Sequence, residues 1–314
     1  MDGHDLLHTL QGTTEFEAVG DAPHSEKPTT SRRIPPDLRG CVTTVAAGSR
    51  PMPVLKAMMT TACERDCHYC PFRTGRTGTK RIKFTPDEMA QGLVALYDAG
   101  VVEGLFLSSG VVRGGVTSQD AIIATGEILR DKYEFRGYMH LKVMPGAERD
   151  QVVRTMQLAD RVSVNLEAPN AQRLAQLAPG KDYVDELLTR LRWIEELRQE
   201  SDGRLKASST TEFVVGPAGE SDVEILSTTE HLHRQMGLAR AYFSAFRPVE
   251  DTPFSNIPAP MPNVNCDCIR PAFCCATMTS RWRNYRLSGR ETYRGVLIPS
   301  RHGQSYTCDR PRWN

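Results

Sequence analysis

The sequence predicts an α/β fold in which six strand-then-helix units lie in one parallel sheet. Three observations lead there. Between Met52 and Val249, short apolar runs alternate with amphipathic stretches, the pattern of parallel strands joined by right-handed helical crossovers. The amphipathic stretches carry helix start and stop signals. Polar residues collect at the carboxyl ends of the predicted strands, where α/β sheets and barrels keep their sites. Six such units make either an open doubly wound sheet or an incomplete β/α barrel.

The elements follow in order. Residues 1–50, with "HSEKPTTSRRIPPDLRG", are rich in Pro, Ser, Thr and Arg and are expected to form an extended arm or linker around one short helix. "MPVLKAMMT" is a buried strand. "TPDEMAQGLVALYDAG" is a helix with Thr85 as N-cap, Pro86 in the first turn, Glu88 completing a capping box and Gly100 as stop. "VEGLFLSSG" and "TSQDAIIATGEILRDKY" form the next strand and helix, followed by "GYMHLKVMPG" and "AERDQVVRTMQLA". "DRVSVNLEAP" precedes the long helix "DYVDELLTRLRWIEELRQE". "KASSTTEFVVG" precedes "SDVEILSTTEHLHRQMG", and "ARAYFSAFRPV" is the last strand. In "SVNLE", alternation sets Ser163, Asn165 and Glu167 on one face and Val162, Val164 and Leu166 on the other. A polar inner face needs internal hydrogen bonds or a ligand.

Composition narrows the class. The 314 residues are 39% hydrophobic, with no apolar run long enough to span a bilayer, so no membrane partner is expected. The first residues lack a basic and apolar leader. Nine cysteines then suggest a reducing, cytoplasmic setting in which clustered thiols bind metal. Net charge is +1, but the residues from Asn263 onward carry nine Arg, no Lys and three acidic residues. A basic footprint for nucleic acid is therefore absent from the first 262 residues and rests on the tail.

"CERDCHYC" places Cys63, Cys67 and Cys70 directly after the first predicted strand. A structural zinc site would want four ligands, and no second CxxC half-site stands in frame; His68 makes a poor fourth ligand. Three thiolates lacking a fourth suit a 4Fe–4S cluster with one open iron. This CxxxCxΦC motif, with Tyr69 before the last cysteine, resembles that of the radical S-adenosylmethionine (SAM) superfamily. The resemblance implies an incomplete (β/α)6 TIM-like barrel, iron ligation by Cys63, Cys67 and Cys70, and reductive cleavage of SAM to a 5′-deoxyadenosyl radical. The cofactor supplies the difficult chemistry and the protein supplies position. It also implies a reducing electron donor of flavodoxin or ferredoxin type.

By the same resemblance Tyr69, Ser108, Ser109, Gly110, Glu167 and Gly216 contact the cofactors, although "LFLSSG" lacks the family's usual Gly-Gly-Glu. His140, Lys142 and Ser244 are inward polar candidates for substrate or cofactor, Lys142 being placed with the cofactor set. "LKAMMTTACERDCHYCPFR", "HLKVMPGA", "RVSVNLEAP", "FVVGPAGESD" and "YFSAF" together look like the DNA modification/repair radical SAM proteins. That group accompanies a uracil-DNA-glycosylase-like protein and carries a C-terminal helix-hairpin-helix segment, which implies a nucleic-acid partner. The alternative class is a non-catalytic iron–sulfur or nucleic-acid-associated module.

The last segment, 263–314, contains "CDCIRPAFCC" and lacks helix or strand periodicity. An auxiliary cluster is one reading, but adjacent Cys274 and Cys275 suit one cluster poorly. Shifting the reading frame within the codons for Pro271–Thr279 turns both cysteines into leucine whatever the wobble base, and permits "SFLLRDYD". The expected organisation is therefore an arm over 1–50, a radical SAM core over 51–262 and an irregular, out-of-frame tail over 263–314.

Overall fold

The computed structural model describes residues 41–47, 50–260, 298–299 and 305–306. The helix expected in the arm, and all of the tail reading but two short strands, lie outside the described residues. Strand β1 (Val42–Ala47) runs antiparallel to β2 (Arg50–Met58), and Val42 pairs with Leu55. The five strands that follow are parallel to β2. They are β3 (Gly104–Ser108), β4 (Tyr138–Lys142), β5 (Arg161–Ser163), β6 (Ser208–Val215) and β7 (Arg240–Ala245). The seven strands lie in sequence order. A doubly wound sheet reverses its strand order at a switch point. This sheet has no such reversal, so right-handed crossovers lay every helix on one face and the sheet curls into a partial barrel. The six predicted strands are thus present, and the arm expected over 1–50 contributes a seventh. Its signal is the β-branched run Val42, Thr43, Thr44 and Val45, which the neighbouring prolines mask.

The helices follow the predicted crossovers. They are α1 (Pro86–Asp98), α2 (Gly114–Glu127), α3 (Arg149–Leu158), α4 (Ala171–Leu177), α5 (Thr189–Glu200) and α6 (Asp222–Gln235). The capping box of α1 forms as expected: Glu88 N donates to Thr85 Oγ1 at 3.3 Å and Thr85 N to Glu88 Oε2 at 2.9 Å. Ser221 and Glu224 repeat it on α6. Helix α2 runs on into a π-helical turn at Ile128–Lys132, and a second π turn, Tyr183–Leu188, leads into α5. No sequence periodicity announced α4.

Outward strand residues Leu55, Leu105, Leu107, Met139 and Leu141 pack with Leu93, Leu96 and Ile122 of α1 and α2. Val162, Val164, Leu166, Phe213 and Ala241 pack with Leu174, Leu191, Ile194 and Leu232 of α4 to α6. This apolar layer is the core, and it leaves the opposite face of every strand to the barrel interior. Separately, β8 (Ile298–Pro299) pairs with β9 (Ser305–Tyr306). Among the described residues no helix is long and apolar enough to cross a membrane.

Candidate active site

The cysteines sit on the long loop between β2 and α1, and sequence-local chemistry fixes that loop. Thr60 and Thr61 donate their hydroxyls to Ile82 O at 2.7 Å and Lys80 O at 3.0 Å, closing its two ends. The end of β3 backs it: Gly110 N donates to Thr60 O at 2.8 Å, and Glu64 N to Val111 O at 2.8 Å. A Cβ on Gly110 would lie 2.1 Å from Ala62 O, so only glycine permits this approach. The Glu64 carboxylate accepts from Arg113 N at 2.9 Å and Gly114 N at 3.0 Å, at the start of α2, where a helix favours negative charge.

The "RTGRTGTKR" run over Arg73–Arg81 is a short basic loop segment, of a kind that is more often solvated or set to meet phosphates. Instead its arginines bind the loop's own carbonyls. Arg73 reaches Cys67 O at 3.2 Å, Arg76 reaches Pro71 O at 3.0 Å, and Arg81 reaches Thr61 O and Phe72 O at 2.8 Å each.

Cys67 is buried, and Cys63 and Cys70 are half-buried. Phe72 N donates to Cys70 Sγ and Val111 N to Cys63 Sγ, both at 3.4 Å. Burial raises the Cys67 thiol, while the Lys181 charge pulls it down. Burial, reinforced by the charge of Cys67, pushes Cys70 up to about 12. Both thiols therefore keep their protons in the protein alone, and binding iron would displace them. Among the described residues no three Cys, His, Asp or Glu side chains lie close enough to hold a single ion. A zinc ion would gather its thiolates to about 2.3 Å. A cluster takes each thiolate on a different iron and tolerates a wider triangle, and amide donors to sulfur are what such clusters use. The donor set fits a cluster. His68 is occupied elsewhere, its Nδ1 2.9 Å from Gln176 O and its ring against Phe254.

Beside the thiols lies a buried carboxylate. Glu167 accepts from Tyr69 Oη at 2.5 Å and from Lys181 Nζ at 3.0 Å. Burial alone would raise its pKa, but the charges of Lys181 and Lys142 outweigh this and hold it below the ordinary carboxylate range. Glu167 has φ of 65°, a left-handed conformation rare outside glycine and found at functional sites. Lys181 was not singled out from the sequence. Its signal was chemical, because a buried glutamate at a strand end needs a counter-ion.

The other expected residues take distinct places. Ser108 is fully buried, and Ser109 donates its hydroxyl to Gly110 O at 2.7 Å. Gly216 follows β6 with φ of 113°, its N–H bonded to the Glu220 carboxylate. Lys142 ends β4, and its charge acts on both Glu167 and His140. Ser244 donates to Glu212 Oε1, and Asn165 Nδ2 donates to Glu212 Oε2 at 3.0 Å. His140 stacks edge-on against Phe106, with centroids 4.6 Å apart. Burial and the charges of Arg161 and Lys142 hold its imidazole well below its usual range.

Comparison with known proteins agrees with this geometry. The chain is 24% identical over 199 residues to the tRNA-2-methylthio-N(6)-dimethylallyladenosine synthase of Bacillus subtilis (strain 168), covering 61% of this chain and 37% of that protein. The Saccharopolyspora erythraea protein of the same name is 26% identical over 208 residues, covering 64% and 40%. The chain thus spans about two fifths of the length of these curated relatives. Among solved structures it resembles the hydrogenase maturase HydG from Carboxydothermus hydrogenoformans, with TM-score 0.56, 13% identity, and 72% of this chain and 51% of that one covered. It also resembles methylornithine synthase (PylB), with TM-score 0.51, 14% identity, and 65% and 56% covered; both likenesses concern the fold. The radical SAM family model matches residues 58–232, more than half of the chain and all of the site from the cysteine loop through Gly216. The chain belongs to the radical SAM superfamily.

Proposed function

We propose that this chain cleaves SAM reductively to begin radical chemistry in nucleic-acid modification. Enzymes of the superfamily use a 4Fe–4S cluster and SAM, and the cluster supplies the electron for that cleavage. The observation that carries the reading is the three-thiol loop, held at the carboxyl end of β2 beside the buried Tyr69–Glu167–Lys181 group. Cys63, Cys67 and Cys70 would ligate three irons and leave the fourth to SAM. Glu167, fixed by Tyr69 and Lys181, would orient a hydroxyl or ammonium group of SAM. Ser108, Ser109, Gly110, Lys142 and Gly216 remain our assignments to that cofactor's surroundings.

Nucleic acid as substrate, in DNA or nucleotide modification, rests on the motif resemblance described above and on the tRNA-modifying names of the relatives. A flavodoxin- or ferredoxin-type donor would supply the electron. Anaerobic reconstitution followed by Mössbauer and electron paramagnetic resonance spectroscopy tests the cofactor assignment. The expected result is one 4Fe–4S cluster whose reduced signal shifts when SAM is added. Binding of zinc alone, or a reduced cluster indifferent to SAM, would overturn it.

A further inference from the structure

Of the three residues between Cys63 and Cys67, Glu64 ties the loop to α2, and Arg65 and Asp66 take a different partner. Arg65 Nη1 donates to Gly180 O and its Nη2 to Glu186 Oε1, while Asp66 Oδ1 accepts from Gly180 N at 2.9 Å. The amide and the carbonyl of Gly180 are therefore both held from the cysteine loop. A Cβ on Gly180 would lie 2.6 Å from Asp66 Oδ1, so this approach needs glycine. The other carboxylate oxygen of Glu186 accepts from Asp182 N at 2.9 Å, which carries the grip of Arg65 to the residue after Lys181. Upstream, His68 N donates to Leu177 O at 2.8 Å.

The segment so gripped presents Lys181. Its N–H donates to Ala178 O at 3.0 Å, and its neighbours Gly180 and Asp182 are both fixed through Arg65 and Asp66. The side chain is 9% exposed, with Nζ 3.0 Å from Glu167 Oε1. A lysine has much rotamer freedom to lose, so holding the backbone on both sides narrows where the ammonium can sit. The Lys181–Glu167 pair is neutral as a whole, and its effect on a nearby sulfur depends on which member stands closer. Burial apart, the Lys181 charge is the strongest influence on Cys67, ahead of the opposing Glu167, and it acts on Cys70 as well.

We propose that Arg65 and Asp66 are positioning residues that hold Lys181 beside Cys67 and Cys70, where its charge eases reduction of the bound cluster. The inference rests on the reading that these thiols carry a 4Fe–4S cluster. One electron from the flavodoxin- or ferredoxin-type donor makes that cluster one charge more negative, and a nearby ammonium favours the more negative state. The planar fork of Arg65 suits the task because it bonds a carbonyl and a carboxylate at once, which a lysine cannot do in the same geometry.

Two measurements on the full chain test it. In redox titration of the reconstituted protein, followed by electron paramagnetic resonance, Arg65→Lys keeps the charge but loses the fork, and its midpoint potential should move negative. Lys181→Met should move the potential further the same way, and adding Arg65→Lys to Lys181→Met should bring no further shift. The second measurement is amine labelling with an N-hydroxysuccinimide ester before iron loading, read by mass spectrometry. Arg65→Gln or Asp66→Ala should speed labelling of Lys181 about tenfold by opening this segment locally. Lys56, buried on β2, should stay protected, and Arg65→Lys stands in for any variant in which it does not. Unchanged labelling of Lys181 in the folded variants, or a loaded cluster whose potential ignores Arg65→Lys, overturns the proposal. So does an undiminished shift in the Lys181→Met background, since Arg65 would then act without Lys181. If no cluster forms, the proposed function fails, and labelling alone decides whether Arg65 and Asp66 hold Lys181. If wild type forms 5′-deoxyadenosine while labelling and potential stay unmoved in the variants, only this inference fails.

Discussion

Glu167 concentrates the residue-scale argument, because it is buried, left-handed in backbone, and held between Tyr69 and Lys181. Removing Lys181 would leave its buried carboxylate without its hydrogen-bonded counter-ion. Lys181→Met should therefore lose about 3–5 kcal/mol of stability in urea denaturation. Adding Glu167→Gln should recover most of that loss, and additive losses would mean that the pair is not coupled. His140 gives a pH test. Its folded pKa lies below the unfolded value, so below about pH 6.5 the unfolded chain takes up the proton more readily. This contribution to stability is full above that pH and is lost as the pH falls. His140→Phe, placed against Phe106, should flatten the fall in the urea midpoint between about pH 7 and pH 5; an equal fall in both proteins would contradict the assignment. Spacing made Cys63, Cys67 and Cys70 legible and strand alternation put Glu167 on a polar inner face, while Tyr69 was singled out only through the motif resemblance. The sequence hid Lys181, because that residue reaches the site from a loop with no periodicity of its own.

Among the elements, the cysteine loop shows how backbone contacts carry a site. Gly110→Ala would drive a methyl group into Ala62 O, and overpacking of this kind costs about 1–3 kcal/mol. Gly78, on the same loop, has nothing within 4 Å of an added Cβ. Gly78→Ala should stay within about 0.5 kcal/mol of wild type, with iron loading retained, whereas Gly110→Ala should lose both stability and iron. Similar iron content in the two variants would show that the β3 contact does not shape the loop. The resemblance assigned Gly110 to the cofactor, and composition marks the Arg73–Arg81 run only as a short basic loop. It could not see that Arg73, Arg76 and Arg81 satisfy carbonyls of the same loop, since side-chain bonds to backbone leave no pattern in residue type. Helix α1 was legible to its cap because Thr85 and Glu88 are local signals. The π turns before α5 and after α2 were not, since they keep helical composition.

For the whole molecule, the sequential strand order gives an open barrel whose strand β2 is covered by β1. Alternation along the sequence fixed the parallel sheet, while its closure depended on strand order, which no local pattern encodes. Deleting residues 1–49 would strip β1 and leave β2 with unpaired backbone groups along its edge. Light scattering should then show concentration-dependent association, and a monodisperse truncated protein would show that β1 does not protect the sheet. The central claim is that these elements converge to make Cys63, Cys67 and Cys70 the seat of a SAM-cleaving cluster. Anaerobic incubation of the reconstituted protein with SAM and dithionite tests it most directly. The account predicts 5′-deoxyadenosine and methionine from wild type and none from Cys63→Ala, Cys67→Ala or Cys70→Ala. Iron uptake without any cleavage would contradict it and leave a passive iron–sulfur module.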